Sequence, residues 1–534
     1  MQKNNDNQTD YNMLRYSLLL LLFLNIQVYN VKSGNEFYLE PVFFENSEND
    51  EYFIHTVERG EAVYGIAKIY RVPIDSIYKL NPGSEKGITV GQKLKIPQTS
   101  GSYIYHTILP KETLYSVSKR YFMTGEDILE VNPGLSVETF TAEKIIRIPI
   151  NRVTQPVEGS NESALMRETN TLLNTVDKGV ETKTVNVALL LPFEGSKDAG
   201  QKKRFVEYFE GFLLALDSLK KSGISINLQV HDIGQDTKEL SKVLKNEEMK
   251  TTHLIIGGFT DNQIKTISNF SSTYNIPYVI PFTPKSDEPL YNSNAFQINT
   301  PHSHLYSKVS KLLCEKYKYY NIIFINDKNK DKEEFVQAVQ ADLRGAKIPF
   351  KTLSYNTTFN NDLKNMLSEE KNLIIPSNSS SETLMKIIVP LQTVNQTQPT
   401  KKVVLFGYPE WQRLRHEYLD KLFQANACIY SVYYTNNTSP SMKMFNSKFK
   451  KWYSKNMLDT YPKYGILGFD TGMFFIKAIN QYGPAIYSNI NNVKYNGIQT
   501  DFRFERINNW GGFINTNFYI IRFNPDYTIT KDFQ

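Results

Sequence analysis

Few residues in this 534-residue chain are placed to do chemistry. Asp327-x-Asn329-x-Asp331 opens like a calcium loop. Lys332 stands where that loop needs a glycine, however, and Ala338 where it needs a chelating glutamate. A solvated helix start is the expected reading. His302 and His304 lie two apart near another helix start with no third ligand, which suits a capping or surface role better than a metal. Cys314 and Cys428, the only cysteines, make no disulfide framework and are expected as buried thiols. Metalloprotease, nucleophile-elbow, dinucleotide and phosphate-loop spacings are all missing, so no enzyme, metal or cofactor is expected. Thr260, Thr283 and Ser286 do offer hydroxyls beside apolar runs, as a small polar ligand would need. Against that, Thr260-Asp261 can cap the next helix, and Thr283-Pro284 can make a turn.

The elements that would position chemistry begin with a repeat. His55-Thr56-Val57 returns fifty-one residues later as His106-Thr107-Ile108. Tyr64, Tyr70, Ile77 and Asn81-Pro82-Gly83 return at the same offset as Tyr115, Tyr121, Ile128 and Asn132-Pro133-Gly134. Such a period marks one supersecondary unit used twice. In the first copy, Tyr52 to Val57 alternates like a half-buried strand. Val63, Ile66, Ala67 and Tyr70 share a helical face, and Val72-Pro73 interrupts that helix. A second helix, Ile74 to Leu80, should bury Ile77 and Leu80 and stop at Asn81-Pro82-Gly83. A turn at Val90-Gly91 then leads to a closing strand that ends at Ile96-Pro97. The unit is β-α-α-β, small for a core that stands alone.

Gly60-Glu61-x-x-Tyr64-x-Ile66-Ala67, Leu80-Asn81-Pro82-Gly83 and Val90-Gly91-Gln92-x-Leu94-x-Ile96-Pro97 together resemble a LysM domain. The second copy departs at Pro110-Lys111 and at Thr141-Ala142-Glu143-Lys144. The resemblance implies binding of N-acetylglucosamine glycans, chiefly peptidoglycan or chitin, in a groove between two loops. Carried over, that groove is Glu61, Ala62, Val63 and Tyr64 with Asn81, Pro82, Gly83 and Ile88. In the second copy it is Glu112, Thr113, Leu114 and Tyr115 with Asn132, Pro133 and Gly134. Backbone amides and a few apolar contacts suffice for acetamido groups. Tyr64 and Asn81 could equally serve only the fold.

Ahead of the repeats, Met13-Leu14-Arg15 leads into Leu18 to Leu24, a basic then apolar stretch that reads as a secretory signal within residues 1–33. An uncleaved anchor is the alternative, although the run is short for a spanning helix. A net charge of +6 over this length, without a Lys/Arg block, gives no argument for nucleic acid. The repeats occupy residues 52–98 and 103–150, and a polar linker with a short helix near Ala164 to Leu173 fills 151–184.

From Val185 to the end, residues 185–534, the texture becomes that of an α/β domain. Val187 to Pro192 is an unbroken apolar run, the mark of a strand buried on both faces. Strand and helix then alternate through Lys402 to Phe406, more strands than one sheet holds comfortably, so two parallel α/β lobes are expected. Ligands of such lobes sit at the carboxyl ends of the strands. Leu189 to Phe193, Ile255 to Thr260, Pro277 to Thr283 and Gly468 to Gly472 resemble the type I periplasmic binding proteins, the branched-chain amino-acid receptor superfamily. That resemblance implies a ligand cleft containing Thr260, Thr283 and Ser286. Phe259, Phe282 and Lys285 occupy positions where small residues are usual. Trp452-Tyr453 is expected in helix packing, and Asn509-Trp510-Gly511-Gly512 as a turn between strands. These readings describe a non-enzymatic envelope protein that binds peptidoglycan, with a domain for a small ligand or a protein partner. The alternatives are an ABC-transporter solute receptor and a wall hydrolase.

Overall fold

The alternation of Phe53 and His55 with polar neighbours builds β1 (Tyr52–Thr56), which pairs antiparallel with β2 (Lys93–Pro97) so that Phe53 faces Ile96 and His55 faces Leu94. The computed structural model describes residues 51–99, 102–150, 162–174, 178–193, 198–398, 400–414 and 416–533. The expected signal in 1–33 lies outside the described residues. Helices α1 (Val63–Tyr70) and α2 (Ile74–Leu80) cover the β1–β2 ribbon, burying Val63, Ile66, Ala67, Tyr70 and Ile77. Leu80, expected inside, is 37% exposed. The core of so small a unit does not reach the last helical turn.

Repeat 2 has the same plan: β3 (Tyr103–Thr107), α3 (Leu114–Arg120), α4 (Gly125–Val131) and β4 (Ile145–Pro149). Thr113 and Thr124 cap its helices through reciprocal bonds with Ser116 and Asp127. The stretch expected as a linker contains α5 (Glu162–Thr171), which does not stand free. Leu172 and Leu173 pack on the core of repeat 2, and a Cβ at Gly125 would stand 2.7 Å from Thr169.

The large domain has two seven-stranded sheets. Lobe 1 contains β5 (Thr184–Leu191), α6 (Ala199–Lys221), β6 (Ser225–Asp232), α7 (Lys238–Val243), β7 (Leu254–Gly257), α8 (Asp261–Tyr274), β8 (Tyr278–Ile280) and β9 (Ala295–Gln297). The chain crosses to lobe 2 for α9 (His302–Lys316), β10 (Asn321–Asn326), α10 (Glu333–Gly345), β11 (Phe350–Ser354) and α11 (Phe359–Met366). Lobe 2 continues with β12 (Lys371–Pro376), α12 (Ser381–Thr397), β13 (Lys402–Gly407), α13 (His416–Gln424) and β14 (Ala427–Ser431). It returns to lobe 1 for α14 (Pro440–Tyr453), α15 (Tyr464–Tyr482), β15 (Phe504–Arg506) and β16 (Phe513–Asn515), and ends in lobe 2 with β17 (Tyr519–Phe523) and β18 (Ile529–Phe533).

The sheet orders are β15-β16-β9-β8-β7-β5-β6 and β11-β10-β12-β13-β14-β17-β18. In each, the first strand of the lobe has its successor on one side and later strands on the other. The order therefore reverses beside β5 and beside β10, where doubly wound sheets bind ligands. Helix α6 starts six residues before the expected Phe205, because its first turn is polar and capped by Asp198, so apolar periodicity does not reveal it. Helices α6 and α15 cross at backbone distance: a Cβ on Gly468 would stand 2.0 Å from the carbonyl oxygen of Tyr208. Glu207 fixes the same crossing by accepting the amides of Leu458 and Gly465.

Candidate functional site

In each repeat, three side chains separated in sequence form one network. Nε2 of His55 donates to Glu61 at 2.8 Å while Nδ1 accepts from the Tyr70 hydroxyl at 2.9 Å, the tautomer this pairing requires. His106, Glu112 and Tyr121 repeat it at 2.8 and 3.0 Å. Glu61 also accepts the Glu58 amide, and Glu112 that of Leu109. These carboxylates clamp the turn before the first helix. Asn81 and Asn132 are also used internally. The Nδ2 of Asn81 donates to Ile77 and Lys95 carbonyls and its Oδ1 accepts the Lys95 amide. Asn132 does the same with Ile128 and Arg147.

What remains open toward solvent differs between the copies. In repeat 1, Tyr64 is 62% and Val90 64% exposed, Ala62, Pro82 and Gly83 are exposed, and Ile88 is half-buried. A Cβ on Gly83, Gly87 or Gly91 would meet nothing within 4 Å. Val63 is buried in the core. In repeat 2, Leu114 is buried, Thr113 caps α3 and Tyr115 is half-buried. Pro133 is exposed, but Gly134 is covered. Its amide donates to the Asn509 carbonyl at 2.7 Å, and Asn509 Nδ2 donates to Ile145 O at 2.9 Å. Trp510, on the same β15–β16 turn, is buried against Tyr70, Tyr105 and Arg147.

At the strand ends of lobe 1, Thr260 caps α8 in a capping box with Gln263. Thr283 accepts the Lys285 amide and Ser286 the Glu288 amide, so all three hydroxyls act in local turns. Phe282 packs with Phe205, Tyr208 and Tyr464, and Phe259 with Phe205, giving this lobe an aromatic wall.

Lobe 2 presents charge instead. Lys332 donates to Glu410 at 2.6 Å and lies over the Tyr408 ring. The other Glu410 oxygen, His302 Nδ1 and the Tyr430 hydroxyl are buried without a hydrogen-bond partner. Burial holds the His302 imidazole below its usual pKa, with the Glu410 carboxylate acting in the other direction. Gln412 and Arg413 reach across to Tyr461 of lobe 1.

Residues 209–526, more than half of the chain, match the receptor family ligand binding region. The chain belongs to that family. Residues 55–97 and 106–149 each match the LysM domain, so the receptor-family domain follows two LysM domains. A curated relative, YdhD of Bacillus subtilis (strain 168), described as a sporulation-specific glycosylase, is 34% identical over 97 residues, covering 18% of this chain and 22% of the relative. The chain thus spans about a fifth of that protein's length. Among solved structures, an ABC-transporter substrate-binding protein of Desulfitobacterium hafniense in complex with Leu is 13% identical, with 66% of this chain and all of that one covered and a TM-score of 0.38. A branched-chain amino-acid ligand-binding protein of Burkholderia xenovorans LB400 is 11% identical, covering 66% and 94%, with a TM-score of 0.43.

The receptor-family domain brings together residues that sequence spacing left apart. His302, Lys332, Glu410 and Tyr430 come from four segments, and only the position of Glu410 three residues beyond β13 could have singled it out. Several expectations need correction. His302 is half-buried at the domain's mouth, not a surface residue. Asp327 and Asp331 are more than solvated: they accept from Thr383 and Ser379, tying the loop after β10 to the start of α12. Cys314 is only partly buried, whereas Cys428 is fully so, and both are free thiols. Trp452 is 57% exposed because it lies on the outer face of α14, while Tyr453 packs on Phe449. Among the described residues, no group of three or more His, Cys, Asp and Glu could hold a metal, and no helix is long and apolar enough to cross a membrane.

Proposed function

We propose that this protein is an exported, non-enzymatic component of the bacterial envelope, held to peptidoglycan chiefly by its first LysM domain. The carrying observation is the contrast between the copies. Repeat 1 leaves Tyr64, Pro82, Gly83 and Ile88 available beside open backbone, whereas in repeat 2 Gly134 is engaged by Asn509. An exposed ring next to an uncovered loop suits the apolar face and acetamido group of an N-acetylglucosamine unit. The receptor-family domain would then take a ligand or partner at the wall. Co-sedimentation of the full chain with insoluble peptidoglycan tests this. Wild type should pellet, and Tyr64→Ala together with Pro82→Ala should leave most of it in solution. Equal pelleting of both, or release of muropeptides by the purified chain, would sink the reading.

A second reading, a solute receptor, is favoured by the mouth of lobe 2. Buried polar atoms without partners are costly unless a bound molecule satisfies them. Glu410 with His302 and Tyr430 could accept from and donate to a small polar ligand, such as an amino acid, against the aromatic wall of lobe 1. Thermal-shift measurement with branched-chain amino acids tests it: stabilisation of wild type but not of Glu410→Gln supports a solute site, and no shift in either removes that ligand class.

A further inference from the structure

Repeat 1 touches both lobes of the receptor-family domain, and it does so on either side of the loop proposed to read glycan. On the lobe 2 side, Arg59 Nε donates to Asp342 at 3.0 Å, and a Cβ on Gly60 would touch Ser307 at 3.4 Å. Asp342 is a buried carboxylate of α10 that otherwise accepts from Ser310 of α9. On the lobe 1 side, Lys68 pairs with Asp287 at 2.8 Å, Tyr291 donates its hydroxyl to the Lys68 carbonyl at 2.7 Å, and Arg71 stacks 3.9 Å over the Tyr291 ring. Asp287 and Tyr291 belong to the β8–β9 connection, which also carries Thr283 and Ser286. Between these two anchor points lies Glu61 to Tyr64, and Lys68 itself sits 4.8 Å over the Tyr64 ring.

The lobes are joined by three crossings: 298–301, 432–439 and 516–518. Two-lobed domains of this kind move by hinge closure at such crossings. A rigid module fixed to both lobes must yield when they rotate. The lobe 1 attachment is the broader one, since it includes buried Trp510 and the Tyr291 contacts. The lobe 2 attachment rests mainly on Arg59 and Asp342. That pair is the point at which the module would let go, and breaking it leaves Asp342 with one neutral partner.

We propose that repeat 1 straps the two lobes together, so that glycan held at Glu61–Tyr64 and rotation of the lobes influence each other. The glycan half of this rests on the function proposed above, and the strap itself does not. Two bound states linked in this way affect each other reciprocally, so wall attachment would set the resting geometry of the ligand cleft.

The experiment is a dipolar distance measurement on the full chain, with labels introduced through non-canonical amino acids at exposed Ser272 of lobe 1 and exposed Asn365 of lobe 2. Wild type should give a narrow distribution, Arg59→Ala a broader or displaced one, and Arg59→Lys an intermediate one. Adding the N-acetylglucosamine tetramer should shift the wild-type distribution and leave that of Arg59→Ala unmoved. Identical distributions for wild type and Arg59→Ala would overturn the strap. Binding of the tetramer without any change in distance would overturn the coupling. If the tetramer does not bind, the glycan reading falls, the coupling falls with it, and the Arg59→Ala comparison still decides the strap.

Discussion

The backbone amide of Gly134 donates to the carbonyl of Asn509 across 375 positions of sequence, joining repeat 2 to the β15–β16 turn of lobe 1. A side chain at Gly134 would collide with Arg506 and with Asn509 itself. The two repeats therefore share a fold but not a setting: one loop is spent on internal docking and its counterpart faces solvent.

Trp510 anchors that dock. It is buried among Tyr70, Tyr105 and Arg147 and belongs to the core of repeat 1. Trp510→Ala should cost roughly 3–5 kcal/mol of the docked state, as other buried aromatic truncations do. Hydrogen exchange in residues 132–135 should accelerate while α4 stays protected. Unchanged exchange there would mean that the dock does not depend on the ring.

Gly468, with Gly211 beside it, permits the close approach of α6 and α15 in lobe 1. Its missing Cβ would meet the Tyr208 carbonyl at 2.0 Å, and backbone on both sides cannot yield cheaply. Overpacking of this kind typically costs about 1–3 kcal/mol and often more for backbone. Gly468→Ala should lower the thermal midpoint of the full chain by several degrees. Gly223→Ala, where a Cβ meets nothing within 4 Å but φ is +93°, should cost less than Gly468→Ala.

Asp470 predicts the pH dependence. Its carboxylate projects from α15 and accepts from Tyr495, Ile498, Gln499 and Thr500, yet burial pushes its pKa up to about 6 against those bonds. The folded chain then holds this proton more tightly than the unfolded one, whose carboxyl titrates at an ordinary value near 4. The unfolding free energy should therefore fall as pH rises from about 4 to about 6, by up to roughly 3 kcal/mol from this group. Burial raises the Glu207 carboxyl too, which adds to the same trend. His231, His253, His302 and His304, held below their usual pKa by burial, act the other way. Denaturant titrations at pH 4, 5, 6 and 7 therefore compare two chains: the stability of wild type relative to Asp470→Asn should fall along the series. An equal slope in both would remove Asp470 as the cause.

Much of this was legible in the chain. The fifty-one-residue echo carried the repeat plan because the strand pairing and internal networks of a LysM unit join residues within forty-five positions of each other. His55, Glu61 and Tyr70 illustrate this. The parallel lobes were legible from runs such as Val187 to Leu191, which only a strand covered on both faces tolerates. The late strands β15–β18 were harder, since each is short, and β16 and β17 take their places in the sheets from the distant strands β9 and β14. The mouth residues of lobe 2 were illegible for the same reason: His302, Lys332, Glu410 and Tyr430 have no spacing in common until the fold brings their four segments together. The contacts of Arg59 with Asp342 and of Gly134 with Asn509 join separate domains, and nothing local in either sequence announces them.

The first repeat alone is proposed to hold glycan. Isothermal titration of the full chain with the N-acetylglucosamine tetramer decides it. One site per chain is expected, lost in Tyr64→Ala with Pro82→Ala and retained in Gly134→Val. Two sites per chain, or binding that survives the repeat 1 substitutions and vanishes with the one in repeat 2, would contradict it.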